Sequence, residues 1–273
     1  MKIDVNGIKL NLELNTEIDP GKEYLLFLHG FTGCAEDWAS TFEQLSDKYN
    51  LCALDLIGHG KSDAPANPDL YKAESIIEQI KIVKDHLTKN KIFLAGYSMG
   101  GRAALSFAIA YPDDIKGLIL ESSTAGIKNE EERQKRYEAD LKLAEFIETH
   151  SNDEFIEMWN DQELFNTQRR FSNDKLKRLK KKKASGSKIG YANSLKGFST
   201  GIMPPLHDYL KKFPVKSLLV SGELDTKFTG INARMVKRFF KAKHKIVKYS
   251  GHNTHLEEPK RFIEVITNYL GQF

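Results

Sequence analysis

Ser98 lies at the centre of a short segment whose residue types could carry nucleophilic or base chemistry. Residues 96–100 have the pattern G-x-S-x-G, which falls between an apolar run at 92–95 and a helical pattern at 103–108. A serine on a sharp turn between a buried strand and a helix has an exposed hydroxyl and the helix N-terminus beneath it. The pattern therefore predicts a nucleophile elbow. A glycine-rich structural turn between a strand and a helix is the simpler alternative.

A serine hydroxyl is a weak base and nucleophile at neutral pH, so it needs a histidine to take its proton and a carboxylate to orient that histidine. Around a nucleophile elbow, these residues follow along the chain in the order serine, acid, histidine. The acid is expected after the strand pattern at 217–221, where Asp225 is the first choice and Glu223 the second. After the last strand pattern, His252 is preferred to His255 because it directly follows a turn glycine. A surface histidine in a loop would be the better interpretation if the other two members were missing.

Two backbone N–H groups are candidates for stabilising a developing oxyanion. In this arrangement one donor belongs to the residue after the nucleophile and the other to a loop after an earlier strand. Those residues are Met99 and Phe31. The loop at 29–33 contains two glycines, which allow a close backbone approach. A plain turn between a strand and a helix is the alternative.

Cationic residues suggest an anionic ligand. Arg102 lies one turn into the helix that follows the elbow, and its guanidinium could bind a ligand or form a structural ion pair. A run of basic residues at 175–183 fits either a solvated helix face or a surface that steers a carboxylate-rich substrate. Nucleic-acid binding fits poorly, because the run lacks interleaved aromatic residues and a recognised binding module.

The elements that must position these residues alternate along the chain. Apolar strand patterns lie at 24–28, 51–56, 92–95, 116–122, 217–221 and 245–249. Helical patterns lie between or after them, including 73–87, 231–240 and 259–270. This alternation predicts an α/β fold with a mostly parallel sheet flanked by helices. Near the start of the chain, Asn6-Gly7 between alternating apolar residues predicts a hairpin.

The alternation stops after residue 124. Between 127 and 205 there is no convincing buried-strand pattern, only charged helical segments at 130–149, 154–165 and 173–183. An insertion at this point would cover the carboxyl ends of the parallel strands as a lid. We therefore expect a core at 1–125 and 206–273 and a helical cap at 126–205, inserted after the sixth strand.

Composition restricts the class of protein. The 273 residues are 40% hydrophobic and 29% charged with a formal net charge of +4, which is ordinary for a globular α/β domain. No apolar run approaches the roughly 20 residues that span a bilayer, and no signal peptide is evident. Cys34 and Cys52 form neither a CxxC motif nor a Cys/His cluster. We expect a cytoplasmic chain without bound metal and without membrane insertion.

Four segments together resemble a known family. Nearly the whole chain resembles the α/β-hydrolase superfamily. More specifically, the segments 96–102, 125–136, 222–228 and 251–255 resemble the 2-succinyl-6-hydroxy-2,4-cyclohexadiene-1-carboxylate synthases of menaquinone biosynthesis. The pieces Asp-Thr-Lys-Phe at 225–228 and Gly-His-Asn-Thr-His at 251–255 are more specific than the generic elbow.

The resemblance implies a lyase without a cofactor. Its substrate is 2-succinyl-5-enolpyruvyl-6-hydroxy-3-cyclohexene-1-carboxylate, which loses pyruvate by 2,5-elimination. Ser98, activated by His252 and Asp225, would act as the base, and no acyl-enzyme would form. Enolate charge on the succinyl carbonyl would lie against the N–H groups of Phe31 and Met99.

The resemblance also implies a set of substrate contacts. Tyr97, Arg102, Arg133 and Trp159 match pocket positions of the family, and a second cap arginine falls at or near Lys183. Lysine cannot make the bidentate contact of arginine, so this departure puts one fork-like contact in doubt. A substrate with three carboxylates would account for Arg102 and the basic cap.

Two other function classes stay open at this stage. A carboxylesterase or carbon–carbon bond hydrolase could use the same triad, and it would need an acyl-enzyme. A binding protein without catalysis is disfavoured, since no triad member is missing, but fold alone does not exclude it. Either enzyme activity implies a small molecule as the binding partner. The sequence does not distinguish a monomer from a homo-oligomer.

Overall fold

Eight strands form one sheet in the computed structural model, which describes residues 1–14 and 17–273. The strands are β1 (Lys2–Val5), β2 (Ile8–Leu14), β3 (Tyr24–Leu28), β4 (Asn50–Leu54), β5 (Ile92–Tyr97), β6 (Ile115–Glu121), β7 (Ser217–Gly222) and β8 (Ala242–Val247). Their order across the sheet is β1-β2-β4-β3-β5-β6-β7-β8. The pairs β1/β2 and β2/β4 are antiparallel, and all other neighbours are parallel. The mostly parallel α/β sheet predicted from the sequence is confirmed.

Among the described residues, ten α-helices connect and cover these strands. They are α1 (Ala39–Leu45), α2 (Ala73–Leu87), α3 (Met99–Ala110), α4 (Glu130–Thr149), α5 (Asn152–Asn160), α6 (Asn173–Ala184), α7 (Lys188–Phe198), α8 (Thr226–Met235), α9 (Thr254–Glu257) and α10 (Pro259–Leu270). Short 3₁₀ turns lie at Ala35–Trp38, Pro68–Tyr71, Pro112–Asp114, Glu163–Arg170, Leu210–Lys212 and Val236–Arg238. In the part of the chain that the structure describes, none of the helices is long and apolar enough to cross a membrane.

The central strands are buried on both faces. Along β5, Leu94 packs into one apolar layer, whereas Phe93 and Ala95 pack into the other. Successive side chains of a strand point to opposite faces, so a strand between two helical layers needs apolar residues at every position. This is why the central strands appear in the sequence as continuous apolar runs, and their carboxyl ends meet at one edge of the sheet.

Helices α4 to α7 lie between β6 and β7 and form the cap. They share a small apolar cluster of their own that includes Ala144, Ile147, Phe155 and Tyr191. The insertion of a helical cap after the sixth strand is confirmed, while the core and cap bounds at 125/126 and 205/206 stay a prediction. Helix α4 has the predicted bounds, and α6 extends one residue beyond them.

Three sequence predictions of element bounds were wrong. The helix predicted at 154–165 is α5 followed by the turn Glu163–Arg170, and the segments predicted at 231–240 and 245–249 are α8 and β8, which begin earlier. Helix α7 was missed altogether. Its Gly190 packs so closely on Gly58 that an added Cβ would lie 1.9 Å from the Gly58 carbonyl oxygen. Gly190 permits this contact and also weakens the helical pattern of α7.

Candidate active site

The elbow places Ser98 between β5 and α3 in a backbone conformation that is rare for a residue with a side chain. Its φ is 51° and its ψ is −107°. A non-glycine residue with positive φ is strained and persists only where surrounding contacts hold it. The N–H of Ser98 donates to the Glu121 carbonyl oxygen at 2.9 Å, and the Ser123 hydroxyl donates to the Ser98 carbonyl oxygen at 3.1 Å. The strain is therefore held by the end of β6 and the residues just after it.

His252 lies between Ser98 and Asp225. Its Nε2 is 3.1 Å from the Ser98 Oγ, and its Nδ1 is 2.7 Å from the Asp225 Oδ2. Both His252 and Asp225 are buried. The N–H of Phe228 donates to the Asp225 Oδ1 at 3.0 Å, so α8 fixes the carboxylate while its other oxygen faces the imidazole. The three predicted residues are thus brought together in the geometry that activates a serine hydroxyl.

The second choices for the acid and the histidine, Glu223 and His255, lie outside the Ser98–His252–Asp225 arrangement. Glu223 is exposed, and its Oε2 accepts a hydrogen bond from the Tyr249 N–H at 3.0 Å. His255 is buried and its Nδ1 is 2.6 Å from the Glu121 Oε2, so it belongs to a separate pair. The structure therefore favours Asp225 over Glu223 and His252 over His255.

The predicted oxyanion donors lie close to the serine. Met99 is the first residue of α3, and the first N–H groups of a helix have no acceptor within the helix. Phe31 follows Gly30, at which an added Cβ would lie 2.6 Å from the Tyr97 ring and 3.5 Å from the Ser98 Cβ. The glycine thus lets the loop approach the elbow. Phe31 and Met99 both line the cavity, and their role as donors stays a prediction.

A cavity of about 960 Å³ opens above Ser98 between the sheet edge and the cap. The charged residues that line it are Arg102, Arg136, Lys182, Lys183, Lys227, Asp37, Asp140, Asp161, Glu163 and Asp225. Aromatic residues complete the wall: Phe31 contacts Trp159 edge to face at a centroid distance of 5.0 Å. This combination of apolar walls and fixed charges suits a small charged organic ligand.

Arg102 forms no salt bridge within the part of the chain that the structure describes. Its Nη1 donates to the Phe198 carbonyl oxygen and contacts the Met203 Sδ at 3.5 Å. No carboxylate of the described residues lies within 4.0 Å of its guanidinium. Burial, and then the nearby Arg136, lower the pKa of Arg102 to about 9, while the charge of Asp140 opposes this shift, and the group stays charged at neutral pH. The alternative of a structural ion pair is therefore not what the structure contains.

Comparison with known proteins places the chain in a family. The model of the α/β-hydrolase fold family matches residues 23–259. A Bacillus subtilis protein named as a candidate 2-succinyl-6-hydroxy-2,4-cyclohexadiene-1-carboxylate synthase is 38% identical over 91% of this chain and 90% of its own length. An Enterobacter protein named as that synthase is 30% identical over 88% of each chain. The chain belongs to this synthase family within the α/β hydrolases.

Solved structures agree with this placement. The structure of MenH from S. aureus superimposes with a TM-score of 0.90 at 30% identity and covers 96% of this chain and 98% of that one. A thermophilic esterase from Thermogutta terrifontis superimposes with a TM-score of 0.86 at 23% identity over 100% and 98% of the two chains. The second likeness concerns the fold alone.

One substrate contact suggested by the family resemblance lies outside the cavity lining, and its role stays a prediction. Arg133 does not line the cavity, because it lies one turn nearer the start of α4, with its carbonyl beside Gly201. Arg136 lines the cavity instead, and its Nε donates to the Asp140 Oδ2 at 2.8 Å. Arg136 also lies in the segment 125–136 that resembles the family, but the sequence alone does not tell which arginine of α4 faces the cavity.

The other predicted contacts do reach the cavity. Tyr97, Trp159 and Lys183 line it together with Arg102. The Lys183 Nζ donates to the Asn160 Oδ1 at 2.6 Å and lies 5.1 Å from the Phe165 ring centroid. Burial lowers the pKa of Lys183 to about 8. These positions suit substrate binding, and their roles stay predictions.

The basic run on α6 divides into two groups. Four of its cations are exposed: Lys177, Arg178, Lys180 and Lys181. The others contact protein or cavity, since Lys182 pairs with Asp37 of the core and Lys175 donates to the Leu256 carbonyl oxygen at 3.2 Å. Sequence reasoning missed the Lys182–Asp37 pair, because its partners are 145 residues apart.

Proposed function

We propose that this chain eliminates pyruvate from 2-succinyl-5-enolpyruvyl-6-hydroxy-3-cyclohexene-1-carboxylate to give 2-succinyl-6-hydroxy-2,4-cyclohexadiene-1-carboxylate. One observation carries the proposal beyond the family placement. An aligned Ser98–His252–Asp225 set opens into the cavity that also contains Arg102, a cation without a carboxylate partner among the described residues. A base beside an unpaired cation suits proton abstraction from an anionic substrate.

Proton abstraction starts at the ring carbon that bears the succinyl group. Ser98 Oγ takes the C2 proton while His252 Nε2, at 3.1 Å, takes the hydroxyl proton. Asp225 stabilises the resulting imidazolium through its 2.7 Å contact with Nδ1. The C2–H electron pair passes first to the succinyl carbonyl as an enolate, so charge develops on that oxygen.

The enolate then expels the leaving group. Its electrons form the C2–C3 double bond, the C3–C4 double bond moves to C4–C5, and the C5–O bond breaks. Enolpyruvate leaves and takes a proton on its methylene carbon to become pyruvate, with His252 as the source of the returned proton. The N–H groups of Met99 and Phe31 are the proposed donors to the enolate oxygen. No cofactor enters these steps.

Substrate charge matches the cations in the cavity. Arg102 and Arg136 come from α3 and α4, whereas Lys182 and Lys183 come from α6. The substrate has three carboxylates, and Arg102 is free to pair with one because no carboxylate of the described residues lies within 4.0 Å of its guanidinium. Arg136 and Lys182 already have protein partners in Asp140 and Asp37, so they contribute less. The inferred partner is thus a small tricarboxylate, and a cytoplasmic location fits such a metabolite.

Intact-protein mass spectrometry during turnover tests this use of Ser98. Because Ser98 acts as a base, the mass of the protein is expected to stay unchanged while pyruvate is released. The Ser98→Ala variant is expected to lose activity by at least about a thousandfold. A substrate-derived adduct on Ser98, or activity of Ser98→Ala within about tenfold of the wild type, would contradict the proposal.

A further inference from the structure

The loop that carries His252 begins at a strained residue. Tyr249 has a φ of 64°, which is uncommon for a residue with a side chain. Such a conformation is strained and persists only where surrounding contacts determine it. Two groups hold it: Glu223 accepts from the Tyr249 N–H at 3.0 Å, and the Arg170 Nη1 donates to the Tyr249 carbonyl oxygen. Arg170 belongs to the cap, 79 residues away in sequence.

A buried carboxylate fixes the same loop on both sides of the histidine. The side chain of Glu257 is 0% exposed. Its Oε2 accepts from the Gly251 N–H at 2.8 Å, and its Oε1 accepts from the Asn253 N–H at 3.3 Å. These are the residues immediately before and after His252. Hydrogen bonds from backbone N–H groups to a buried carboxylate are charge-assisted, so they restrain the loop strongly.

Arg170 joins these two restraints. Its Nη2 lies 3.3 Å from the Glu257 Oε2, while its Nη1 contacts the Tyr249 carbonyl oxygen. A buried carboxylate without a cation is costly, so Arg170 also stabilises the charge that holds Gly251 and Asn253. The same cap turn, Glu163–Arg170, packs Thr167 against Gly251, where an added Cβ would lie 2.1 Å from the Thr167 Oγ1.

We propose that Arg170 is a positioning residue for His252. From the cap it holds Tyr249 and Glu257, and Glu257 in turn holds the backbone on either side of the imidazole. Docking of the Glu163–Arg170 turn is thereby coupled to the 3.1 Å contact between His252 and Ser98. Arg170 itself does not line the substrate cavity, so we expect its loss to affect the chemical step more than substrate binding. The inference rests on the proposed role of His252 as the proton acceptor.

Steady-state kinetics of the Arg170→Gln variant distinguish a role in positioning His252 from a role that only docks the cap on the core. We expect kcat for pyruvate release to fall at least about tenfold while KM stays within about twofold. Arg169→Gln is the matched control, because the neighbouring Arg169 is exposed and pairs only with the exposed Asp161 among the charged residues described. It is expected to change neither constant by more than about twofold. Arg170→Lys should recover part of the loss, since lysine keeps the charge but cannot hold both acceptors as a fork.

Proton NMR of the free protein provides a readout that needs no substrate. The Nδ1–H of His252 in its short contact with Asp225 should give a downfield resonance, which His252→Ala identifies by its loss. We expect this resonance to shift or broaden in Arg170→Gln and to stay in place in Arg169→Gln.

The outcomes distinguish this inference from the proposed function. A raised KM with unchanged kcat, or unchanged kinetics and an unchanged resonance in folded Arg170→Gln, would overturn the positioning role. A wild-type protein that releases no pyruvate would contradict the proposed function instead, and the resonance would still test the link between Arg170 and His252.

Discussion

The guanidinium of Arg102 lies 4.7 Å from the centroid of the Phe198 ring. Arg102 belongs to the helix after the elbow, and Phe198 is the last residue of the cap helix α7, so this contact joins core and cap beside Ser98. The ring face and the Phe198 carbonyl oxygen attract the cation but do not neutralise it. Its charge is therefore left for an anionic ligand.

Removal of the Arg102 charge should weaken binding of the substrate. Arg102→Met keeps an apolar chain against Phe198 but has no donor, and KM for the pathway substrate is expected to rise at least about tenfold. The transition state is also anionic, so kcat/KM should fall by at least as much. Unchanged kinetic constants in steady-state pyruvate assays would make Arg102 a structural residue only.

Arg136 and Arg133 offer a matched pair on one helix. Arg136 lines the cavity and Arg133 does not. We expect Arg136→Ala to raise KM by about three- to tenfold, because Asp140 already shares its charge, and Arg133→Ala to stay within about twofold of the wild type. Equal effects in the two variants would contradict the placement of α4 against the substrate.

Lys183 of the cap helix α6 should make KM for the substrate depend on pH. Burial lowers the pKa of Lys183 to about 8, so the group is cationic below this pH and becomes a neutral amine above it. At pH 9 roughly one-tenth of it stays charged, and KM is expected to be several-fold higher than at pH 7.

Lys183→Arg is the control for this effect, because the ordinary pKa of arginine lies about 2 units or more above that of lysine. Its KM should rise less than that of the wild type between pH 7 and 9, and the rise that remains, which comes from Arg102 with its pKa of about 9, should be common to both proteins. The same rise of KM in Lys183→Arg would exclude Lys183 as its source.

Close packing at the elbow leaves no room for a side chain at Gly100. An added Cβ at Gly100 would lie 2.3 Å from the Leu28 carbonyl oxygen and 2.4 Å from the His29 carbonyl oxygen, and backbone atoms cannot move aside easily. Gly100→Ala is therefore expected to lower the free energy of unfolding by about 1–3 kcal/mol in urea titrations. At Gly271 the nearest atom is 3.4 Å away, so Gly271→Ala should have little effect. A silent Gly100→Ala would contradict the close packing of α3 on β3.

Chain order and local pattern were enough to predict the elbow and the triad positions. The strand before Ser98 contains the apolar run 92–95 because both of its faces are buried, and the acid and histidine follow later strands of the same sheet. Parallel strands bring their carboxyl ends to one edge, so order along the chain became proximity in space.

Side-chain register and long-range pairing could not be predicted in the same way. Arg133 and Arg136 lie one turn apart on a charged helix, and only the packing of α4 decides which reaches the cavity. The contacts of Arg170 with Tyr249 and Glu257 depend on how a 3₁₀ turn of the cap packs against a loop about 80 residues later in the chain. Neither leaves a periodic signal in the sequence, because each depends on tertiary contacts.

A coupled pyruvate assay on the purified protein tests the central claim most directly. The protein is given 2-succinyl-5-enolpyruvyl-6-hydroxy-3-cyclohexene-1-carboxylate in one series and a panel of simple and activated esters in the other. We predict rapid pyruvate release that depends on Ser98, and ester hydrolysis slower by at least about a hundredfold in kcat/KM. Efficient ester hydrolysis with a burst of product, and no pyruvate release from the pathway substrate, would contradict the lyase account and support a hydrolase on the same scaffold.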